Sequence, residues 1–478
     1  QSLVVKKVET PPFPTGHPPP PRTEVGVAYT RGVDPATPIS LTAQRPSWLF
    51  LAAFRTSLEP DISVGGASAN AAVADLARYS NLTSTSLLSA HQTAWDAVWE
   101  GGLEVKGNTT FAASVNSSLF YLLSSVRADW PFGMSPGGIA RDDYQGHTFW
   151  DQETWMFPNL VALAPALASS CLEYRLARLP AARERAQRHN LSGGMQPWES
   201  GLLGYGVSVW HLADDHEIHI TADVALAVRL YFRASQNMSW LRHSGWPLVQ
   251  ASAQYFASRV VVDPVSGNFT LLNVIPPDEK AGVVNSSVYT NAAAAETLRF
   301  GVEVATLLGV ETGSARNWTK IADQMLLPIG QLDGVDVHLE FDGYKAGTPI
   351  NQADVALLQY PLGLAMEQEL ATNDLAVYQA VSSGPSTAGF YTGDSAYSIA
   401  WLQLGNRSAA DAQLNLAFDH MDTSHFNVWK EKSFGDYGNL NFLTGAGGFV
   451  QNMLMGYGGL RYRDEGLFAR LLLPPLGI

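Results

Sequence analysis

Three short stretches of this sequence place carboxylates beside aromatic or other apolar residues: Phe149-Trp150-Asp151-Gln152-Glu153-Thr154-Trp155, Ile275-Pro276-Pro277-Asp278-Glu279 and Val428-Trp429-Lys430-Glu431. Hydrolysis of a glycoside asks for such a set. One carboxyl group, protonated, donates to the departing oxygen; a second, ionised, activates water or attacks. Trp and Phe offer apolar faces to sugar rings, and a Glu buried among them is pushed toward the donor range. Motifs for other chemistries are missing: there is no G-x-S-x-G elbow, no phosphate-binding G-x-x-x-x-G-K-[ST] and no zinc spacing of Cys and His. His216-Glu217-Ile218-His219 mimics a zinc-protease fragment, but its histidines are three apart rather than four. It reads as a hydrogen-bonding loop or a helix start.

These stretches fall in connections between helical segments. Leu298, Val302, Ala305 and Leu308 share one helix face, and Ile220, Val224, Ala227 and Leu230 repeat that spacing. The Gly/Pro/Asn-rich connections hold the most distinctive residues: Gly146 to Pro158, Gln196 to Ser200, Pro276 to Asn291, Gly343 to Pro361 and Trp429 to Gly448. The pattern predicts a mainly α chain, a helical barrel with its site at one rim. By neighbourhood Trp155, Trp198 and Trp429 belong near that site, whereas Trp95, Trp99, Trp210 and Trp240 are expected in the core. Residues 1–60 differ. Pro11, Pro12, Pro14 and Pro18 to Pro21 exclude helix, and the apolar run Trp48 to Phe54 reads as a short buried strand. Arg463 to Ile478, with Leu471-Leu472-Leu473-Pro474-Pro475, reads as the start of a further domain.

Composition narrows the class. The chain has 478 residues, 46% hydrophobic, with 13 Trp, 17 Tyr and 20 Phe, which is not a disordered composition. A formal net charge of −14 argues against nucleic acid or an anionic membrane surface as the partner, because phosphates are repelled. The most apolar charge-free runs are broken by Pro158, Asn159 and Pro165, or by Asn439, Asn441, Gln451 and Asn452, so no membrane span is expected. The single Cys171 cannot form an internal disulfide. Asn81, Asn108, Asn116, Asn190, Asn237, Asn268, Asn285, Asn317 and Asn406 each begin an Asn-X-Ser/Thr triplet, an excess that points to a secreted, vacuolar or lysosomal glycoprotein. The chain starts at Gln1 without a signal-like stretch, so any targeting segment is expected outside it.

Gly146-His147-Thr148-Phe149-Trp150-Asp151-Gln152-Glu153-Thr154-Trp155-Met156-Phe157-Pro158 resembles the G-H-x-F-W-D-x-[DE]-x-[WF]-M-x-P block of glycoside hydrolase family 65. That family includes acid trehalases, disaccharide phosphorylases and protein-glucosylgalactosylhydroxylysine glucosidases. Further blocks follow in the family's order: Pro197-Trp198-Glu199-Ser200, Glu217-Ile218-His219-Ile220, Pro277-Asp278-Glu279 with Tyr289-Thr290-Asn291, Gln352-Ala353-Asp354-Val355, and Asn441-Phe442-Leu443-Thr444-Gly445. The resemblance covers roughly residues 90–465. It implies an (α/α)6 barrel catalytic domain over 91–462, reached through a helical linker at 61–90. It also implies remnants of an N-terminal β-sandwich within 1–60 and the start of a C-terminal β cap at 463–478. The missing N-terminal β domain would lie outside this chain, with a separate chain as one source.

The resemblance assigns Glu279 as general acid and Glu431 as general base. Phosphorylases of the family use phosphate as nucleophile and need no base, so a Glu at 431 favours hydrolysis with inversion. Their carboxyl groups are then expected about 6.5–9.5 Å apart, leaving room for the water. Trp150 and Asp151 match the pair that grips the glucosyl unit; Asn351 and Gln352, Trp198 and Glu199, and Trp429 are further substrate-binding candidates. Asn351 stands where the family commonly has Lys, which removes a charge, while Gln352 keeps its amide hydrogen bonds. Glu217 and Asp354 are candidates for orienting the acid. No metal or organic cofactor is implied. Phe149 to Met156 and Glu340-Phe341-Asp342-Gly343-Tyr344 look closest to the hydroxylysine glucosidase branch, so the expected substrate is an α-1,2-linked glucose on galactosyl-hydroxylysine, with kojibiose as its small analogue. Acid trehalase, with trehalose as substrate, is next, then a disaccharide phosphorylase. A non-catalytic carbohydrate-binding glycoprotein is the reading from another class, and the presence of both Glu279 and Glu431 argues against it.

Overall fold

The structure, a computed structural model, describes residues 3–9, 23–30, 40–44, 47–59, 61–62, 67–130, 132–138, 143–352, 354–382, 391–432 and 438–472. The proline stretch at 11–21, Ala353 and the chain from Leu473 onward lie outside them. Two compact units divide at Gly101.

The first unit is a three-stranded antiparallel sheet carrying one packed helix. Strands β1 (Leu3–Glu9), β2 (Glu24–Thr30) and β3 (Ala52–Thr56) pair in that order, with Val27 opposite Lys6 and Phe54. Helix α1 (Ala67–Tyr79) packs on β2 through Ala28, Ala72 and Leu76. Gly26 makes that approach possible, since a Cβ there would stand 2.3 Å from the Ser68 backbone. The buried strand expected at Trp48 to Phe54 needs correction. The strand begins only at Ala52, and Leu49, Phe50 and Phe54 are exposed, because β3 is an edge with one uncovered face. Helix α2 (Ser84–Val98) buries no residue, so Trp95 and Trp99, expected in the core, instead stack half-buried on each other, ring centroids 5.9 Å apart.

The second unit is an (α/α)6 barrel, in which outer and inner helices alternate along the chain. Outer α3 (Thr109–Ser124) precedes inner α4 (Phe157–Leu163), outer α5 (Pro165–Ala177) precedes inner α6 (Ile220–Ser235), and outer α7 (Trp246–Arg259) precedes inner α8 (Val288–Leu308). Outer α9 (Ala315–Asp323) then precedes inner α10 (Asp354–Gln359), outer α11 (Gln368–Ser382) inner α12 (Tyr391–Gln403), and outer α13 (Arg407–Ala417) inner α14 (Leu443–Gln451). Each inner helix packs on the next, and α14 returns to α4 and closes the ring.

The two rings have different sequences for a physical reason. An outer helix buries one stripe, as α13 does with Ala410, Gln413, Leu414 and Ala417 at i, i+3, i+4 and i+7. Inner helices are enclosed more fully, and in α10 and α14 every residue is buried. Three glycines in α14 thin its wall, and a Cβ on Gly447 would reach within 2.5 Å of the Trp155 carbonyl. Among the described residues no helix is long and apolar enough to cross a membrane. A short hairpin, β4 (Ile329–Leu332) and β5 (Val335–His338), lies between α9 and α10; strands β6 (Met421–Asp422) and β7 (Val428–Trp429) pair between α13 and α14. A last hairpin, β8 (Arg461–Arg463) and β9 (Gly466–Phe468), follows α14. None of the nine sequon asparagines is buried. Three of them, Asn108, Asn237 and Asn406, cap helices through their side-chain oxygens, a structural reason for part of that excess.

Candidate active site

The residues singled out for chemistry share one position in the fold, the connection that leads into the N-terminus of an inner helix. Trp150 and Asp151 precede α4, Glu217 and His219 precede α6, Glu279 precedes α8, Asn351 and Gln352 precede α10, and Glu431 precedes α14. Six parallel inner helices therefore bring loops far apart in sequence to one rim, with helix N-termini beneath them.

The Trp150–Asp151 turn is braced from outside the ring. One widened helical turn, Gln152–Met156, leads into α4. Arg175 of α5 is fully buried and donates 2.8 Å hydrogen bonds to both oxygens of Glu153, and a 3.2 Å bond to the Phe149 carbonyl. Removing one partner of such a buried pair costs about 3–5 kcal/mol, so this clamp holds the turn firmly. Asp151 accepts 2.6 Å from the Thr444 hydroxyl of α14, and burial pushes its carboxyl up to about 6. Trp150 is buried edge-on to both Trp155 and His219, with centroids 5.9 and 5.0 Å away.

Beneath Trp150 runs a closed chain of polar groups. Tyr289 donates 2.7 Å to Asp223, whose other oxygen meets His219 Nδ1 at 2.7 Å, while His219 Nε2 meets Glu217 at 3.2 Å. All four are buried. Burial alone would lower the His219 pKa, but the Asp223 and Glu217 carboxylates push it up to about 10, so both ring nitrogens donate. The zinc-protease-like fragment is thus a hydrogen-bonding element. Burial pushes Glu217 up to about 7, and its second oxygen has no partner.

Glu279 opens a single helical turn, Glu279–Ala281, directly after Asp278. Burial first, then the charges of Glu217 and Asp151, hold its carboxyl well above the usual range; His219 opposes them. Glu279 is therefore poised to carry a proton. Glu431 is held differently. Its N–H donates to the Asn439 carbonyl at 3.0 Å, and its carboxylate accepts the Asn439 N–H at 3.0 Å. Gly438 permits that grip, since it has φ +61° and a Cβ there would stand 2.4 Å from Glu431 Oε2.

Tyr144 joins the two sides and was not singled out from sequence. Its hydroxyl lies in hydrogen-bonding reach of Glu431, and burial followed by the charges of Glu431, Asp151 and Glu279 raises its pKa. Tyr144 and Gln145 both sit in left-handed backbone, φ 61° and 52°, a strained arrangement. Its only sequence signal was its place just before the Gly146-His147 block.

The other predicted residues are placed as follows. Trp198 is half-buried, edge-on to Phe149 at 5.1 Å and Trp210 at 5.6 Å, and its indole N–H has no protein partner. Trp210 is thereby corrected: it is 36% exposed and extends this aromatic series outward instead of filling the core. Trp240, also expected in the core, is half-buried against Tyr231. Glu199 meets His147 Nδ1 at 2.7 Å. Asn351 and Gln352 are half-buried; the Asn351 N–H donates to Asp278, and Gln352 Oε1 accepts from Thr392 of α12. Trp429 needs correction as a substrate-binding candidate. Its ring is 1% exposed, packed on Phe449 and Phe418, with its N–H donated to Ser118 of α3, so it supports the Glu431 loop from the core.

A cavity of about 1030 Å³ lies toward the other ends of the inner helices, lined by residues such as Leu230, Arg233, Tyr360, Leu402, Met455 and Arg461. Three of its arginines are already engaged, Arg229 with Glu296, Arg233 with Asp464 and Arg461 with backbone carbonyls. The convergent carboxylates are at the opposite rim.

Comparison with known proteins places the chain in a family and a fold. The glycosyl hydrolase family 65 central catalytic domain matches residues 116–381. A protein-glucosylgalactosylhydroxylysine glucosidase of Dictyostelium discoideum is 37% identical over 447 residues, 92% of this chain and 61% of that protein. A kojibiose hydrolase of Mucilaginibacter mallensis is 36% identical over 383 residues, 80% of this chain and 54% of its own. This chain thus spans little more than half the length of these relatives. Among solved structures, a putative kojibiose phosphorylase from the human microbiome superposes with a TM-score of 0.76 at 15% identity, over 95% of this chain and 67% of that one, and shares the fold. From the matched catalytic domain and these identities, the chain belongs to glycosyl hydrolase family 65.

Proposed function

We propose that this chain carries the catalytic centre of an inverting α-glucosidase. Glu279 protonates the departing oxygen, Glu431 takes a proton from a water on the opposite face, and β-glucose leaves. The observation that carries this reading is the contrast between the two carboxyl groups. Glu279 is held well above the usual carboxylate range by burial and by Glu217 and Asp151, whereas Glu431 accepts a backbone N–H and faces the Tyr144 hydroxyl. One is arranged to give a proton and the other to take one. Trp150 and Asp151 grip the glucosyl unit, with Gln352, Trp198 and Glu199 around it. No step calls for a metal or organic cofactor.

The substrate we favour is a terminal α-1,2-linked glucose on galactosyl-hydroxylysine, or kojibiose as its small analogue; trehalose is second, as in an acid trehalase. The exposure of most sequon asparagines supports a secreted or vacuolar/lysosomal glycoprotein. The test is glucose release from glucosyl-galactosyl-hydroxylysine, kojibiose and trehalose, with and without phosphate, following the first-formed anomer by NMR. We expect β-glucose from the α-1,2-linked substrates, independent of phosphate. Turnover of trehalose alone selects the second reading; glucose 1-phosphate or initial α-glucose overturns the inverting hydrolase.

The same electrostatics predict how stability varies with pH. Asp151, Glu217, Asp278 and Glu279 are all raised in the folded state, and His219 is raised as well. Each group then binds protons more tightly folded than unfolded. Its contribution is complete below the unfolded pKa, about 4 for the acids, and is lost as pH rises through the folded value. For Asp151 and Asp278 that value is about 6, and for Glu217 about 7. The thermal midpoint is expected to be higher at pH 5 than at pH 8, measured by calorimetry on the wild-type chain. A midpoint that rises toward pH 8 contradicts the assignment.

A further inference from the structure

Asp278, the residue before Glu279, is the junction of a second carboxyl cluster that the reaction itself does not use. Its Oδ1 accepts the Asn351 N–H at 3.0 Å, and the backbone N–H groups of Lys280 and Gln352 also reach its carboxylate. Its own N–H donates 2.7 Å to Asp354 Oδ1 at the start of α10. Asp354 is fully buried, and its second oxygen meets no donor. Glu340, just past the β4–β5 hairpin, is 1% exposed; neither of its oxygens makes a full hydrogen bond, and the Val355 N–H approaches its carboxyl. What Glu340 meets is Asp354, with the two carboxyl groups in hydrogen-bonding reach of each other.

Two carboxylates in contact away from water cannot both stay ionised, whereas one proton between them serves both. Leaving a buried acceptor unmatched costs about 1–3 kcal/mol, more when it is charged, and three unmatched oxygens converge here. The other titratable groups facing the pair are Asp278, His219 and the phenols of Tyr289, Tyr344, Tyr378 and Tyr397. Of these only His219 is a cation, and both its nitrogens are taken by Asp223 and Glu217. Asp354 already accepts the Asp278 N–H at 2.7 Å, which favours its charge; Glu340, approached by the Val355 N–H without a full hydrogen bond, is the better holder of the proton.

We propose that Glu340 and Asp354 share a single proton, and that this acid pair is the positioning device that fixes the Pro277–Asp278–Glu279 turn against the Asn351–Gln352 segment. The ionised Asp354 holds the Asp278 backbone, Asp278 holds the backbone of Asn351 and Gln352, and the acid and the sugar-binding segment keep one geometry. Its kinetic consequence rests on the function proposed above; the proton itself does not.

The experiment is therefore infrared spectroscopy of the intact chain without substrate at pH 8, where Glu217, raised only to about 7, is ionised, in E279Q, in which the proton held by Glu279 no longer contributes, and in E279Q carrying also E340Q or D354N. A buried protonated carboxyl gives a C=O band. We expect that band in E279Q and its loss in E279Q/E340Q. The thermal midpoint of E340Q should also fall less than that of wild type between pH 5 and pH 8, since the pair's protonation no longer contributes. In kinetics on kojibiose, E340A should lose about tenfold or more in kcat with little change in KM, and E340Q, whose amide N–H replaces the acid O–H, should recover most of it. An E279Q spectrum without that band, its persistence in both double variants, or equal loss of kcat in E340A and E340Q overturns the proposal.

Discussion

Glu279→Gln is expected to lower kcat on kojibiose by about 10²–10⁴-fold with a much smaller change in KM, the contribution of a well-placed general acid. The amide keeps the shape and burial of the carboxyl group but has no proton to give. A poor leaving group, a sugar alkoxide, feels that loss fully; a good one hardly feels it. α-Glucosyl fluoride departs with little protonation, so the same variant should turn it over at a rate much nearer to wild type. If kojibiose and the fluoride lose activity equally, Glu279 is not the acid. The pH profile supplies a second reading. An acid works only while protonated, so kcat/KM falls as pH rises through the pKa of Glu279, which burial, Glu217 and Asp151 hold well above the carboxylate range. Glu217→Gln removes one of those charges, eases ionisation of Glu279, and should move the alkaline limb to lower pH.

How far the sequence could reach is clearest by comparing residues. The 3.6-residue spacing along Ile220–Leu230 and Leu298–Leu308 located two of the inner helices, α6 and α8, because burial there follows periodicity. No periodicity marks α14, whose nine residues are all buried. Asp151 was legible because it stands beside aromatics, and Glu279 through its Pro277-Asp278-Glu279 block, both in connections leading to the rim. Trp429 stands two residues before Glu431, yet its ring packs in the core on Phe418 and Phe449; strand β7 ends at Trp429, so nothing in the local chain ties the two side chains to one direction. Tyr144 lies just before the Gly146-His147 block and Glu340 opens Glu340-Phe341-Asp342-Gly343-Tyr344, but neither pattern tells what the side chain does. Their roles depend on Glu431 and Asp354, partners far away in the chain, and only the closed ring of helices brings them together. Trp210 failed for a simpler reason: a large aromatic near a rim can pack on one side and face water on the other.

Glu431→Ala is expected to lower kcat on kojibiose by about 10²–10⁴-fold and, unlike the acid variant, to lose activity on α-glucosyl fluoride as well. The reason is that the base acts on the attacking water, whatever group departs. The truncated side chain leaves space beside the Asn439 N–H and the Tyr144 hydroxyl, which otherwise meet the carboxylate. A small anionic nucleophile such as azide needs no base, so it should restore turnover and yield the β-glucosyl azide, the product of one inversion. An α-azide, or no rescue together with full activity on the fluoride, removes Glu431 from the reaction. Gly438→Ala tests the grip rather than the group. Its added Cβ would stand 2.4 Å from Glu431 Oε2, on a backbone with φ +61° that disfavours side chains. The carboxylate must shift, and a displacement near 1 Å can cost about 100-fold in rate. Because the base chemistry of Glu431 is intact in this variant, its loss should fall on kcat more than on KM, and azide should rescue it poorly, since the displaced side chain still fills the space the anion needs.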